Sequence, residues 1–149
     1  MRNSVTMTKK SLFSDQKLII YTDGGSRNNP GHAAAGFVVG SHEYGEYLGE
    51  RTNNYAEYMA VILALKKAKH LLGGKKAEEA ELEVRMDSEL VARQLGGKYK
   101  IKEPDLKPLF VDVWNLKMDF KKVEFAHIPR EQNKRADRMV NRTLDEHAR

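Results

Sequence analysis

The chain contains no cysteine, which removes disulfides, thiolate metal sites and a cysteine nucleophile together, and suits a reducing compartment. It has no apolar run near the roughly 18 residues that a membrane helix needs. The first sixteen residues, M-R-N-S-V-T-M-T-K-K-S-L-F-S-D-Q, lack the apolar core of a secretory signal; cytoplasm is the expected compartment. No G-x-S-x-G elbow occurs, against serine-triad chemistry. No His-x-x-x-His pair falls on a helical stretch, against zinc. Proline is scarce, at four residues, and no biased linker or internal repeat divides the chain.

What is present fits one soluble domain: 149 residues, 40% apolar and 32% charged, enough to bury a real core. Residues 1–16 read as a flexible N-terminal extension and 17–149 as a single catalytic-sized unit. The net charge of +5 suggests a polyanionic partner.

Hydrophobic periodicity gives the elements. Lys17–Thr22 is a β-rich run that stops at Asp23-Gly24-Gly25, which places Asp23 at a strand end. Asn28-Asn29-Pro30-Gly31 makes a turn, and Ala33–Val39 and Glu43–Gly49 complete an antiparallel meander. From Asn54 to Leu72 the period becomes helical, with Ala56, Met59, Ala60, Leu63, Ala64 and Ala68 forming the stripe and Gly73-Gly74 the stop. Glu81–Met86 alternates as a strand and delivers Asp87. A short helix, Ser88–Leu95, ends at Gly96-Gly97. A helix opening at Pro104-Asp105 buries Leu106, Leu109, Phe110, Val113, Leu116 and Phe120. Lys122–Ile128 is the last strand, and Glu131–Glu146 the last helix, with Ala136, Val140 and Leu144 inward. Strand following helix favours parallel pairing. The expected fold is α/β, a five-stranded mixed sheet with three antiparallel strands followed by two parallel ones, flanked by helices.

Four acids stand at or near the junctions of these elements: Asp23 in Y-T-D-G-G-S, Glu57 in T-N-N-Y-A-E-Y, Asp87 in M-D-S-E-L and Asp137 in N-K-R-A-D. Singly, each has an ordinary explanation. Asp-Gly is a turn dipeptide, Glu57 could complete a capping box begun at Asn54, Asp87 could cap the helix at Ser88, and Asp137 could pair with Arg135 or Arg138. Together they invite another reading, because the sheet order above can bring all four to one edge. Two like charges about 4 Å apart cost roughly 4 kcal/mol at an effective dielectric of 20. Divalent cations with oxygen preference, Mg2+ or Mn2+, are the natural compensation.

These frames closely resemble ribonuclease H type 1 from Lys17 to the C-terminus. The matching elements are D-G-G-S-x-x-N-P-G at Asp23, N-N-x-A-E at Glu57, D-S at Asp87 and A-D at Asp137, with His127 ten residues upstream of the last acid. The resemblance implies that Asp23, Glu57, Asp87 and Asp137 coordinate two divalent metals, Mg2+ with Mn2+ as the alternative. It implies endonucleolytic hydrolysis of the RNA strand of RNA–DNA hybrids, leaving 5′-phosphate and 3′-hydroxyl ends. Glu57 would also meet a ribose 2′-hydroxyl. His127 matches the family's mobile histidine, and Arg130 the arginine that takes that role in some relatives. Asn29, Thr52, Asn53, Asn54, Ser88 and Glu89 occupy positions that in the family line the minor groove or hold phosphate.

The chain has no room for the extra helix and basic protrusion of the best-studied bacterial enzymes, so the resemblance is to a compact form. Gly97-Lys98-Tyr99-Lys100-Ile101-Lys102 is the densest basic and aromatic stretch near the expected site, either a solvated loop or a substitute backbone clamp through Lys98, Lys100 and Lys102. The implied enzyme is a monomer whose partner is the RNA–DNA hybrid, with no membrane and no protein partner. Two alternatives stand beside it: a non-catalytic hybrid- or RNA-binding module of the same fold, and a DNA-processing nuclease of the wider superfamily.

Overall fold

The computed structural model describes residues 17–148; the extension expected over 1–16 lies outside them. Ten elements follow the chain: β1 (Leu18–Arg27), β2 (Gly31–Val39), β3 (His42–Arg51), α1 (Asn53–Leu72), α2 (Gly74–Glu79), β4 (Glu81–Met86), α3 (Glu89–Leu95), α4 (Lys107–Lys117), β5 (Lys122–His127) and α5 (Lys134–His147). Single 3-10 turns, Pro104–Leu106 and Arg130–Gln132, lead into α4 and towards α5. The strand order is β3-β2-β1-β4-β5. β1, β2 and β3 pair antiparallel, while β1–β4 and β4–β5 are parallel. The five-stranded mixed sheet read from the sequence is the one observed.

One face of the sheet carries the main core. Leu82, Val84 and Met86 alternate inward along β4, each contributing roughly 1.5–3 kcal/mol of burial free energy. They share one cluster with Val61, Leu65 and Ala68 of α1 and with Leu109 and Val113 of α4. α1 is covered both by the sheet and by α4, which is why Tyr58, Val61, Ile62 and Leu65 are buried in addition to its alanines. The stripe expected from periodicity holds at Ala56, Ala60, Ala64 and Ala68, whereas Met59 and Leu63 are only partly covered. A helix packed on two sides has no single apolar face for periodicity to find. On the other face α5 lies over β2, with Ala34, Val140 and Leu144 forming a second, smaller cluster.

Two glycines set how closely the helices approach. A Cβ on Gly24 would fall 2.2 Å from the carbonyl carbon of Ala56, and one on Gly36 would fall 2.3 Å from the Ala136 oxygen. Only a residue without a side chain permits either contact. The first brings α1 down beside Asp23, and the second brings α5 down beside β2.

Several boundaries differ from expectation. β1 does not stop at Asp23 but runs to Arg27, because Gly24, Gly25 and Ser26 pair with Ala35, Ala34 and Ala33 of β2; the Asp-Gly-Gly that reads as a turn is extended strand. Gly73 ends α1 with φ of 81°, but Gly74 opens the short α2, anchored by Ala77 alone. β5 ends at His127, before Ile128. α5 begins at Lys134, the residues from Arg130 to Gln132 forming the 3-10 turn instead.

Candidate active site

β1 is longer than its parallel neighbour, and the site forms where the two part. Pairing between β1 and β4 ends at Thr22 opposite Met86. β1 continues as Asp23, paired only with Gly36 of β2, while β4 gives way to Asp87. The two aspartates thus face each other across a split at the carboxyl end of the strands, where open α/β sheets build their sites. α1 supplies Glu57 from above Gly24. Carboxylate oxygens of Asp23, Glu57 and Asp87 all lie within 4.8 Å of one another. The Gly24 N–H donates to both Asp23 Oδ1 (3.0 Å) and Glu57 Oε1 (2.9 Å), so one backbone group holds two acids.

The ordinary explanations for the acids fall to other residues. Thr52 caps α1, its Oγ1 accepting from the Tyr55 N–H at 3.1 Å, so Glu57 is not part of a capping box. Ser88 caps α3 by accepting from Val91 N–H, leaving Asp87 free. Arg135 and Arg138 both pair with Glu43, at 2.7 and 3.4 Å, not with Asp137. All four acids line one open cleft of about 670 Å³, together with Asn53, Ser88 and Arg130.

The electrostatics are those of an uncompensated cluster. Asp23 is only 8% exposed, and burial, followed by the charges of Asp87 and Asp137, pushes its pKa up to about 8. Burial, then Asp23 and Asp87, drives Glu57 well above the ordinary carboxylate range. Arg130 brings its Nε to 3.7 Å from Asp87 Oδ2, but its side chain is 86% exposed, which leaves it well hydrated and a weak counterion. Three convergent carboxylates, with no buried cation and no other donor type beside them among the described residues, fit a hard divalent ion.

The other expected residues divide. Asn53 lines the cleft, where its Oδ1 accepts from both the N–H and the hydroxyl of Ser26 (2.8 and 3.1 Å). Asn29 Oδ1 accepts from Asn53 N–H at 3.0 Å, which ties the β1–β2 turn to the start of α1. Asn54 is off the cleft lining and donates to Glu103 Oε1 at 2.9 Å. Glu89 is outside the cleft, exposed and paired with Arg93 at 2.8 Å. His127 closes β5 opposite Met86, exposed and also off the cleft lining. Lys98, Lys100 and Lys102 share a second cleft of about 650 Å³ with Leu90, Gln94, Tyr99 and Glu103. Its loop is anchored from below: buried Gln94 accepts from the Tyr58 hydroxyl at 2.7 Å and donates to the Lys100 carbonyl at 3.2 Å.

Sequence reasoning missed Asn133, whose Nδ2 donates to the Thr22 carbonyl at 2.9 Å and reaches Asp87 Oδ1 at 3.4 Å. Inside a helix expected over Glu131–Glu146 nothing local marks an asparagine that points inward.

A reverse transcriptase-like family model matches residues 21–143. Among curated proteins, a bifunctional protein of Mycobacterium tuberculosis is 38% identical over 136 residues, spanning 87% of this chain and 36% of that protein. A ribonuclease HI of Halobacterium salinarum is 39% identical over 132 residues, 85% of this chain and 63% of the relative. The chain therefore spans little more than a third of the length of the mycobacterial protein. Among solved structures, LC11 RNase H1 in complex with an RNA/DNA hybrid is 47% identical with a TM-score of 0.84, over 89% of this chain and 100% of that one. RNase H1 from Halobacterium salinarum NRC-1 gives 38% and 0.79, over 88% and 99%. Between α3 and α4 this chain has only a loop and a 3-10 turn, without a further helix. Kinship of this degree, extending over nearly the whole described fold and including the strands and helices that carry the acids, makes the chain a compact member of the ribonuclease H type 1 family.

Proposed function

We propose that this protein is an endoribonuclease that hydrolyses the RNA strand of RNA–DNA hybrids, with divalent cations held by Asp23, Glu57, Asp87 and Asp137. One observation carries the reading: three carboxylates whose oxygens lie within 4.8 Å of one another, two of them with raised pKa values, in a cleft of a net basic protein. Such a cluster costs folding free energy that a binder of polyanions has no reason to bear. When bound, a pair of Mg2+ ions supplies the Lewis acidity for an in-line displacement that leaves 5′-phosphate and 3′-hydroxyl ends.

The chain's own residues do the rest. The Gly24 N–H holds the Asp23 and Glu57 carboxylates in fixed directions before substrate arrives, which is preorganisation of the kind that lowers barriers. Glu57 meets the ribose 2′-hydroxyl and so discriminates RNA from DNA. Asn29, Thr52, Asn53, Asn54 and Ser88 form the polar surface for the shallow groove, in which Asn29 and Asn53 act as a bonded pair. Arg130 and His127, on the segment after β5 and at its end, handle protons or product departure. Arg130 is the stronger candidate because it lines the cleft. Lys98, Lys100 and Lys102 grip backbone phosphates in the neighbouring cleft. The working state in this reading is a cytoplasmic monomer; no helix among the described residues is long and apolar enough to cross a membrane.

The test is cleavage of end-labelled RNA–DNA hybrid, duplex DNA and duplex RNA in parallel, with Mg2+ and with EDTA. Metal-dependent cutting of the RNA in the hybrid alone is the expected outcome, with 5′-phosphate at the new ends. Tight hybrid binding without cutting under any metal would replace the enzyme with a binding module, and cutting of duplex DNA would move it to the DNA-processing branch.

A further inference from the structure

Asn133 occupies the N-cap position of α5 yet its side chain makes no capping hydrogen bond. Asparagine is among the best residues for that task because its side-chain oxygen normally accepts an N–H of the first turn. Here the amide turns inward and is 1% exposed. Its Nδ2 donates to the carbonyl of Thr22, the residue before Asp23, at 2.9 Å, and points its other hydrogen at Asp87 Oδ1, 3.4 Å away. The second contact is longer than an ordinary N–H···O bond, so the first fixes the amide and the second aims it. Flipping the amide would set its oxygen against a carbonyl and a carboxylate, so the donor must face the site. The backbone of the same residue completes the connection. Its N–H donates to the Arg130 carbonyl at 3.0 Å and its carbonyl accepts from Asp137 N–H at 3.1 Å.

We propose that Asn133 is the positioning residue of the metal site: its amide holds the Asp87 carboxylate against β1, so that Asp23 and Asp87 keep the separation a divalent cation needs. This deepens the metal-ligand reading given above and rests on it. Aspartate at 133 could not donate and would add charge to the cluster. Serine could not span both acceptors. The chain has therefore given up a cap in favour of orienting a ligand, an outer contact of the sort that metal sites depend on.

Asn133→Ser and Asn133→Asp in the full chain test this. Three quantities are measured: Mn2+ binding by calorimetry without substrate, the metal concentration for half-maximal hybrid cleavage, and the thermal midpoint in EDTA. The expected result is Mn2+ binding weakened about 10- to 100-fold, a matching rise in the metal requirement, and recovery of most of kcat at saturating metal. A lowered thermal midpoint with an unchanged metal requirement overturns the proposal. If neither variant folds, side-chain amide resonances of the wild type decide: Mg2+ must shift those of Asn133 and leave those of Asn115, on the exposed side of α4, in place. An unmoved Asn133 signal overturns the proposal. Wild-type protein that binds no Mn2+ overturns both this role and the metal-ligand reading, whereas wild-type binding with unaltered variants overturns the role of Asn133 alone.

Discussion

Two clefts of nearly equal volume, about 670 and 650 Å³, are built in opposite ways. The acidic one takes its carboxylates from the body of β1, the residue after β4 and the helices α1 and α5, with Asp23 almost sealed from solvent. The basic one takes Lys98, Lys100 and Lys102 from an exposed loop, with the Tyr58–Gln94 hydrogen bond buried beneath it. Holding cations requires carboxylates fixed to fractions of an ångström, so rigid elements and desolvation are accepted at a cost in stability. Holding a phosphate backbone, the role proposed for the second cleft, requires only charge at roughly the right place, which hydrated lysines on a loop would supply.

The difference breaks most visibly on removing a ligand. Asp23→Asn or Asp87→Asn is expected to lower kcat about 100- to 1,000-fold, the scale for losing one preorganised electrostatic group, with hybrid affinity in EDTA no weaker than wild type. Steady-state kinetics and filter binding on the same preparations check it. A variant that retains activity within a factor of a few would show that the acids do not carry the chemistry.

The second expectation concerns stability in the absence of metal, and its sign is the reverse of a salt-bridged carboxylate. Asp23 and Glu57 have folded pKa values above their unfolded ones. Below about pH 4, the ordinary carboxylate range, both states are protonated and nothing is lost. As pH rises towards about 8, the value for folded Asp23, the unfolded state releases its proton first and the fold is progressively disfavoured. One pKa unit corresponds to about 1.4 kcal/mol, so the difference is expected to reach a few kcal/mol. Melting in EDTA across this range should therefore show a falling midpoint, flattened by Asp23→Asn and by added Mg2+. A midpoint indifferent to metal at pH 8 would refute it.

The basic cleft should respond differently. Replacing Lys98, Lys100 and Lys102 together by alanine is expected to raise KM about tenfold and leave kcat unchanged. The salt slope of hybrid binding should fall by about 0.7–0.9 for each phosphate no longer neutralised. The thermal midpoint should hardly move, since all three lysines are exposed and surface substitutions of this kind change stability little. An unchanged salt slope would reduce the loop to a solvated surface.

How far the sequence revealed these two regions follows from what each is made of. The sheet order and the meeting of Asp23, Glu57 and Asp87 were legible because strand alternation along β4 and the Asp-Gly-Gly, Asn-Asn and Asp-Ser frames are local signals. The route of β1 past Asp23 was not, because its pairing with Ala33–Ala35 is a long-range choice that overrides the turn tendency of Asp-Gly-Gly. The short α2 escaped because one buried alanine leaves no period to detect. Which family positions face the cleft was also hidden. Glu89 and His127 are exposed and off the cleft lining, while Asn133 and Gln94 act through hydrogen bonds to residues 46 and 36 positions away.

The finest test separates charge from geometry inside the basic cleft. Glu103 is the single acid on its lining, and it accepts a hydrogen bond from Asn54, one residue along from the cleft-lining Asn53. Glu103→Gln removes the negative charge but keeps an oxygen for Asn54, so the loop should stay in place while its potential becomes more positive. A polyanion should then bind about two- to threefold more tightly at low salt, and the gain should vanish at high ionic strength because exposed charges are screened beyond about 10 Å at 0.1 M. If the same substitution weakened hybrid binding at every salt concentration, Glu103 would be acting through its position rather than its charge. The basic cleft would then depend on fixed geometry as the acidic one does, and the contrast between the two would fail.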